Sequence, residues 1–211
     1  MIYASKPKFI TFEGGEGSGK STQSKLLHEY LLSRNIKSIH TREIGGTIEA
    51  EKIRDLVVYS ELFPVSELML VMAARYEHIN KVIIPALQSG SWVICDRFVD
   101  STACYQSGDS GLSLDDIYEL HDKLMTDSKS KVALMPDLTF FMDVPPEIGL
   151  KRAGDRGDVN KFEAKNVAFH QVIYDRFQSI AKRDKGRFLS IEAVGKTIDE
   201  IHQDAVSHLF G

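Results

Sequence analysis

At 211 residues, with 43% hydrophobic and 27% charged side chains, the chain has the composition of one soluble globular domain with a substantial core. Its net charge of −4 excludes a global basic field that would draw nucleic acid or anionic lipid. The strongest apolar run, 68–74, is cut by Arg75, which excludes a membrane span.

In chain order, short β-rich runs alternate with helical patterns. Residues 8–12 (KFITF) read as a strand, and a Gly-rich turn leads into a helix with Leu26, Leu27, Tyr30 and Leu31 on one face. A strand at 36–41 follows. The stretch 66–84 is apolar around most of its circumference, which predicts deep burial or a subunit interface, and Pro85 is expected to end it. Next come a strand at 92–95 and a helix with Ile117, Leu120 and Leu124 on one face. A strand at 138–144, a helix with Val172, Ile173, Phe177 and Ile180, a strand at 188–191 and a helix with Ile198, Ile201, Ala205 and Leu209 complete the order. Strands separated by helical crossovers predict an α/β fold, a central parallel five-stranded sheet with helices on both faces. In such folds ligands bind at the carboxyl ends of the strands. No repeat or linker divides the chain, so 1–211 reads as a single domain. Cys95 and Cys104 fit no metal or redox spacing, and MIYASKPKF lacks the apolar centre of a signal peptide, so the expected compartment is the cytoplasm.

The chemistry begins at FEGGEGSGKST, residues 12–22. Gly14, Gly19, Lys20 and Ser21 fit the phosphate-loop pattern, with Gly15, Glu16, Gly17 and Ser18 inside it and Thr22 after it. Its glycines let backbone N–H groups turn toward phosphate oxygens, Lys20 reaches the β- and γ-phosphates, and the Ser21 hydroxyl suits Mg²⁺. Lys20 is the only cation of this cradle, which also carries the carboxylates Glu13 and Glu16, so further positive charge must come from elsewhere. SWVICDRF is an apolar strand ending at Asp96, which reads as a carboxylate for Mg²⁺ or as a cap of the next helix. Arg97 beside it suits a phosphate held bidentately. A guanine-reading N-K-x-D is missing after any strand, since NKVI at Asn80 falls in an apolar helix and NKFE at Asn160 in a charged loop. A motor would need more chain than this. Residues 151–163, KRAGDRGDVNKFE, have the arginines and glycines of a mobile cover, Arg152 and Arg156 foremost. A small-molecule kinase fits best.

The blocks FEGGEGSGKST, TREIGGT, AARYEHI, DRFVDSTACYQ, PDLTFFMDV and LKRAGDRGDVNKFE, in this order, resemble the thymidylate kinases over nearly the whole chain. The resemblance implies a nucleoside monophosphate kinase fold that uses ATP and Mg²⁺ to convert dTMP to dTDP, usually as a homodimer. It implies that Glu16 lies near the acceptor's 3′-hydroxyl, that Arg97 grips the acceptor phosphate and that Asp96 stands near Mg²⁺. Arg75 would read a thymine carbonyl and Thr102 the base edge. Tyr105 would crowd the sugar 2′ position, and Gln106 belongs to the same block. Arg42 and Arg54 are weaker acceptor-phosphate candidates. With no arginine in the cradle, the chain is similar to the bacterial kind whose clamp sits in the lid at about 151–163, here Arg156 with Arg152 nearby.

Departures from that family pattern are specific. Ile44 stands where proline is usual, and Asn160–Lys161 replaces an Asp–Arg pair, which predicts a less strongly ion-paired lid. Glu163 keeps its acidic position. Val71 stands where a phenylalanine usually stacks on thymine. The alternative reading is a deoxynucleoside kinase, which would need a general base for a neutral nucleoside rather than this richness in arginine.

Overall fold

The computed structural model describes residues 8–126, 132–154, 161–162 and 164–210. Among them, β1 (Phe9–Glu13), β2 (Ser38–Arg42), β3 (Trp92–Asp96), β4 (Leu138–Asp143) and β5 (Phe188–Glu192) form one sheet in the order β2-β3-β1-β4-β5. Every pairing is parallel. Parallel neighbours need long crossovers, and helices provide them here. These are α1 (Lys20–Ser33), α2 (Ile48–Tyr59), α3 (Pro64–His78), α4 (Ile84–Gln88), α5 (Val99–Gln106), α6 (Leu114–Met125), α7 (Pro146–Gly154), α8 (Val167–Arg183) and α9 (Ile198–Phe210).

β1 is buried along its whole length, as a central strand covered on both sides must be. Ile10 and Phe12 pack with Leu27 and Leu31 of α1 and Ala205 of α9. Phe9 joins a second cluster with Leu68 and Met72 of α3 and with Phe98. The two-residue period of a strand places Thr11 and Glu13 on the Phe9 side. Glu13 therefore enters a buried layer as the last residue of the strand. Local chemistry sets the helix starts. The Thr47 hydroxyl accepts from Ala50 N–H at 3.0 Å, and Ser113 with Asp116 forms a reciprocal capping box at α6.

Two expectations are corrected by the structure. Pro85 does not end the apolar helix, because the path continues through a π-helical segment, Ile79–Ile83, into α4 as far as Gln88. The Ile84 N–H bonds the carbonyl of Ile79, five residues back. This wider turn lies just before Pro85, whose ring would clash with the carbonyl four residues earlier in a regular helix. The buried stripe of α6 is Ile117, His121 and Met125, while Leu124 is 44% exposed. His121 turns the helix inward. Its Nε2–H donates to the Leu134 carbonyl at 2.9 Å, and its ring meets Phe98 edge-on at 5.5 Å.

The neutral state of His121 carries a testable consequence. Burial and then the Arg75 charge push its pKa down to about 4, and its Nδ1 is buried with no hydrogen-bond partner among the described residues. The folded protein thus takes up this proton later than the unfolded chain, so stability present above pH 6.5 is lost as pH falls toward 4. Between pH 7 and 4.5, urea titrations should show the protein losing about 2–3 kcal/mol more than its His121→Gln variant. Parallel losses in the two proteins would refute this.

Candidate active site

The cradle is the loop between β1 and α1. Gly17 has φ +65°, and a Cβ there would lie 1.9 Å from the Gly149 carbonyl, so the loop can rest on α7 only with glycine at that position. Gly19, also left-handed, caps α1 and directs the first N–H groups of that helix outward, a ready anion site. The Lys20 ammonium donates to the Gly15 carbonyl at 2.6 Å and to the Ser18 hydroxyl at 3.3 Å. Burial and Arg97 pull its pKa down to about 8, against Glu16 and Asp96. Ser21 donates to Asp96 Oδ2, while Asp96 Oδ1 is buried without a partner among the described residues. These hard oxygens fit Mg²⁺, which keeps several waters and binds through one or two carboxylates plus phosphate. Among the described residues there is no cluster of three or more His, Cys, Asp or Glu able to hold a metal. Arg42, Arg54 and Arg152 line the cleft above the cradle.

A second pocket opens beside it, and Arg97 stands between the two. Arg97 follows β3 in a left-handed conformation, φ 70°. Its Nη1 donates to the Gly14 carbonyl at 3.1 Å and the Ser101 hydroxyl at 2.9 Å, and its Nη2 to Glu16 at 2.8 Å. The guanidinium also lies over the Tyr105 ring at 5.1 Å, and Tyr105 donates to Glu16 at 3.0 Å. Burial opposes ionisation of Glu16, yet Arg97 and Lys20 hold its pKa down to about 2. Glu16 is therefore an anion at all physiological pH.

Deeper in, Arg75 is fully buried. It donates to Glu43 at 2.7 Å and to the Thr102 hydroxyl at 2.7 Å, with its guanidinium 4.9 Å from the Phe98 ring centroid. Glu43 also meets His78 Nδ1 at 3.0 Å, and His78 Nε2 meets Thr41 at 2.7 Å. Against desolvation, Arg75 and His78 lower the Glu43 pKa. The Glu43–Ile44 peptide bond is cis, at the position where the sequence pattern has Ile44 in place of proline. Val71, with Val57 and Val58, forms an aliphatic wall of this pocket. At its rim Gln106 donates to Glu67 at 2.9 Å, and Lys161 pairs with the same carboxylate at 2.6 Å. Phe162 lies edge-on to Tyr105 at 5.7 Å.

The structure brings Glu16, Val71, Arg75, Arg97, Thr102, Tyr105 and Gln106 to one pocket, as the sequence blocks suggest. It draws Arg42 aside, into an exposed pair with Glu51 at 2.8 Å. Lys161 keeps an ion pair despite the altered lid sequence. Arg156, Asn160 and Glu163 lie outside the described residues. Sequence reasoning missed Glu43, His78 and Ser101, and named Glu13 only as a carboxylate near Lys20. Glu43 and His78 fall within the blocks TREIGGT and AARYEHI, so the signal was present beside residues already named.

The comparisons with known proteins agree on one family. The thymidylate kinase family profile matches residues 12–205. A thymidylate kinase of Rickettsia africae (strain ESF-5) is 50% identical over 202 residues, covering 96% of this chain and 97% of that protein. One from Rickettsia bellii (strain RML369-C) is 49% identical over 201 residues, 95% of each chain. The crystal structure of thymidylate kinase from Ehrlichia chaffeensis superposes with a TM-score of 0.75 at 34% identity, covering 96% of this chain and 98% of that one. A phosphate cradle and an adjoining arginine-rich pocket, on a fold and a sequence shared with these relatives, place this chain in the thymidylate kinase family.

Proposed function

We propose that this chain transfers the γ-phosphoryl group of ATP to dTMP, giving dTDP, with ATP on the cradle and dTMP in the adjoining pocket. One observation carries the assignment of the two clefts: they share the wall formed by Glu16, Glu43, Arg54 and Arg97. A phosphoryl group leaving the cradle therefore passes cations on its way to an acceptor, and little else is required for this chemistry than positioning and charge neutralisation. Lys20 follows the transferred group. Arg97 holds the acceptor phosphate, aimed by its bonds to Gly14, Ser101 and Glu16. Glu16, held ionised, accepts from the sugar 3′-hydroxyl, and Tyr105 narrows the space at the 2′ position. Arg75 and Thr102 read the base. Ser21 and Asp96 would hold Mg²⁺, which when bound supplies charge neutralisation at the β- and γ-phosphate oxygens. We place the enzyme in the cytoplasm, where ATP and deoxynucleotides are available; none of the described helices is long and apolar enough to cross a membrane.

The deoxynucleoside kinase reading needs a base for a neutral hydroxyl, whereas the shared wall offers arginines suited to an acceptor that is already anionic. A coupled ADP-release assay with Mg²⁺–ATP should show turnover of dTMP and none of thymidine. Equal turnover of the two would refute the assignment.

Val71 gives a second test. Its wall is aliphatic, and the ring of Phe98 is engaged by Arg75 and by Phe9, at 4.9 Å each, rather than free to face a base. A phenylalanine at 71 should add a stacking face worth roughly 1–3 kcal/mol. Val71→Phe should thus lower KM for dTMP about tenfold with kcat nearly unchanged, the signature of uniform binding. A raised KM in a well-folded variant would mean that the pocket has no room for the ring.

A homodimer is the third part of the reading. Met69 and Tyr76 of α3 are 48% and 52% exposed, and with Ile53 and Leu124 they line one shallow apolar groove. Packing two copies of this chain through that face would bury it. Light scattering after gel filtration should give twice the chain mass, and Leu124→Glu should shift it to the monomer. A monomeric wild-type protein at micromolar concentration would sink this.

A further inference from the structure

We propose that Glu13, which lines neither of the two clefts, is a positioning residue for Arg97. It holds that arginine's backbone turn and its guanidinium through one carboxylate. The inference rests on the reading of Arg97 as the acceptor-phosphate ligand. Four geometric facts support it.

Glu13 is fully buried at the end of β1, on the face that meets α5. Its Oε1 accepts from Phe98 N–H at 2.6 Å, the peptide immediately after Arg97. Its Oε2 accepts from the Ser101 hydroxyl at 2.5 Å, and that hydroxyl in turn accepts from Arg97 Nη1 at 2.9 Å. Arg97 itself has φ 70°, a conformation rare for a residue with a side chain, and its N–H bonds the Phe12 carbonyl at 3.0 Å. Such a turn persists only where the surroundings over-determine it. The β1 end grips it on both sides, through the carbonyl of Phe12 before Glu13 and through the Glu13 side chain itself. The carboxylate thus ties the start of the cradle to the arginine of the second pocket.

The bland account, a buried acid kept only for stability, fits less well. Burial and the nearby Asp100 carboxylate raise the Glu13 pKa, while Ser101, Arg97 and the Phe98 N–H, which favour the ionised form, oppose that rise. A buried acid in a costly place is poorly suited to stabilise the fold, and an apolar residue of similar size would serve better there. Both of its oxygens are instead spent on the segment that carries Arg97.

Two variants test the link. Glu13→Leu keeps the approximate bulk but removes both acceptors, whatever the protonation state of the carboxyl group. Ser101→Ala leaves Glu13 in place and removes the hydroxyl between it and Arg97. Each should raise KM for dTMP about tenfold and lower kcat, with KM for ATP within about twofold of wild type. The double variant should be no worse than the poorer single one, because both cut the same connection. Ser101→Thr, which restores a hydroxyl, should recover most of the loss. Glu13→Leu with wild-type KM and kcat for dTMP would overturn the proposal, as would multiplicative losses in the double variant or an equal rise in KM for ATP. A wild-type protein inactive on dTMP would overturn the reading of the pocket together with it, a failure visible before any variant is compared.

Discussion

The guanidinium of Arg97 is the point at which the two clefts become one site. Its four donated contacts, to the Gly14 carbonyl, Ser101, Glu16 and Tyr105, span the cradle and α5. No other described side chain bonds the cradle backbone and the α5 helix together in this way. The arrangement explains why Glu16 stays ionised in a buried position and why the Arg97 charge is retained there. Desolvation opposes both ions, but Tyr105, Glu16 and Asp96 around Arg97 hold its pKa above the ordinary value. Each ion makes the other's burial tolerable, and removing one would leave the other uncompensated.

Below this site the same face of the sheet carries a polar seam through an otherwise apolar layer. Thr11 meets Thr139 at 2.8 Å, and Arg187 donates to Thr139 at 2.8 Å and to both oxygens of Asp100 at 2.7 and 2.8 Å. Tyr118 closes the set by donating to Asp100 at 2.5 Å. Asp100 lies one residue before Ser101, so the seam anchors α5 from beneath while Glu13 anchors it from the cradle. A buried carboxylate bidentate to arginine and bonded to a phenol has its oxygens satisfied, which is the condition for such a group to be stable inside a fold. A helix held by satisfied directional bonds keeps its side chains in place better than one held by apolar contacts alone. On the proposed reading, this fixes the helix beside Arg97, the residue that would meet the acceptor phosphate.

Much of this was legible in the sequence, and what was not follows a pattern. Strand–turn–helix around Gly14 to Ser21 and the apolar strand ending at Asp96 are local signals, readable because backbone period and glycine placement determine them. The sheet followed from strands alternating with helical crossovers, and the clustering of Arg75, Arg97, Thr102 and Tyr105 from ordered blocks. Pro85 misled because a proline is a stop only if the preceding turn is a regular one, and a π turn is not visible in composition. The face of α6 misled because periodicity weighs Leu124 above His121, whereas a histidine with a buried carbonyl to bond can outcompete a leucine for the interior. Glu13, Glu43 and Lys161 could not be assigned, since each gains its role from a partner distant in sequence: Ser101, Arg75 and Glu67.

On the proposed reading, the second pocket combines a weak wall with a strong reader. Val71, Val57 and Val58 present no aromatic face, so on the proposed reading the pocket gains little from stacking. Arg75, by contrast, is oriented before any ligand arrives, by Glu43 on one side and Thr102 on the other, with His78 holding Glu43 in turn. Pre-orientation removes the ordering cost of a long side chain at the moment of binding. Discrimination also depends more on polar pairing than on contact area, since a base that leaves a buried donor unpaired is rejected far more strongly than one that lacks a methylene. A pocket built this way loses affinity when stacking is lost but keeps its choice of base. On the proposed reading, Val71 therefore bears on how tightly the acceptor would be held, and the buried Glu43–Arg75 pair on which acceptor would be held.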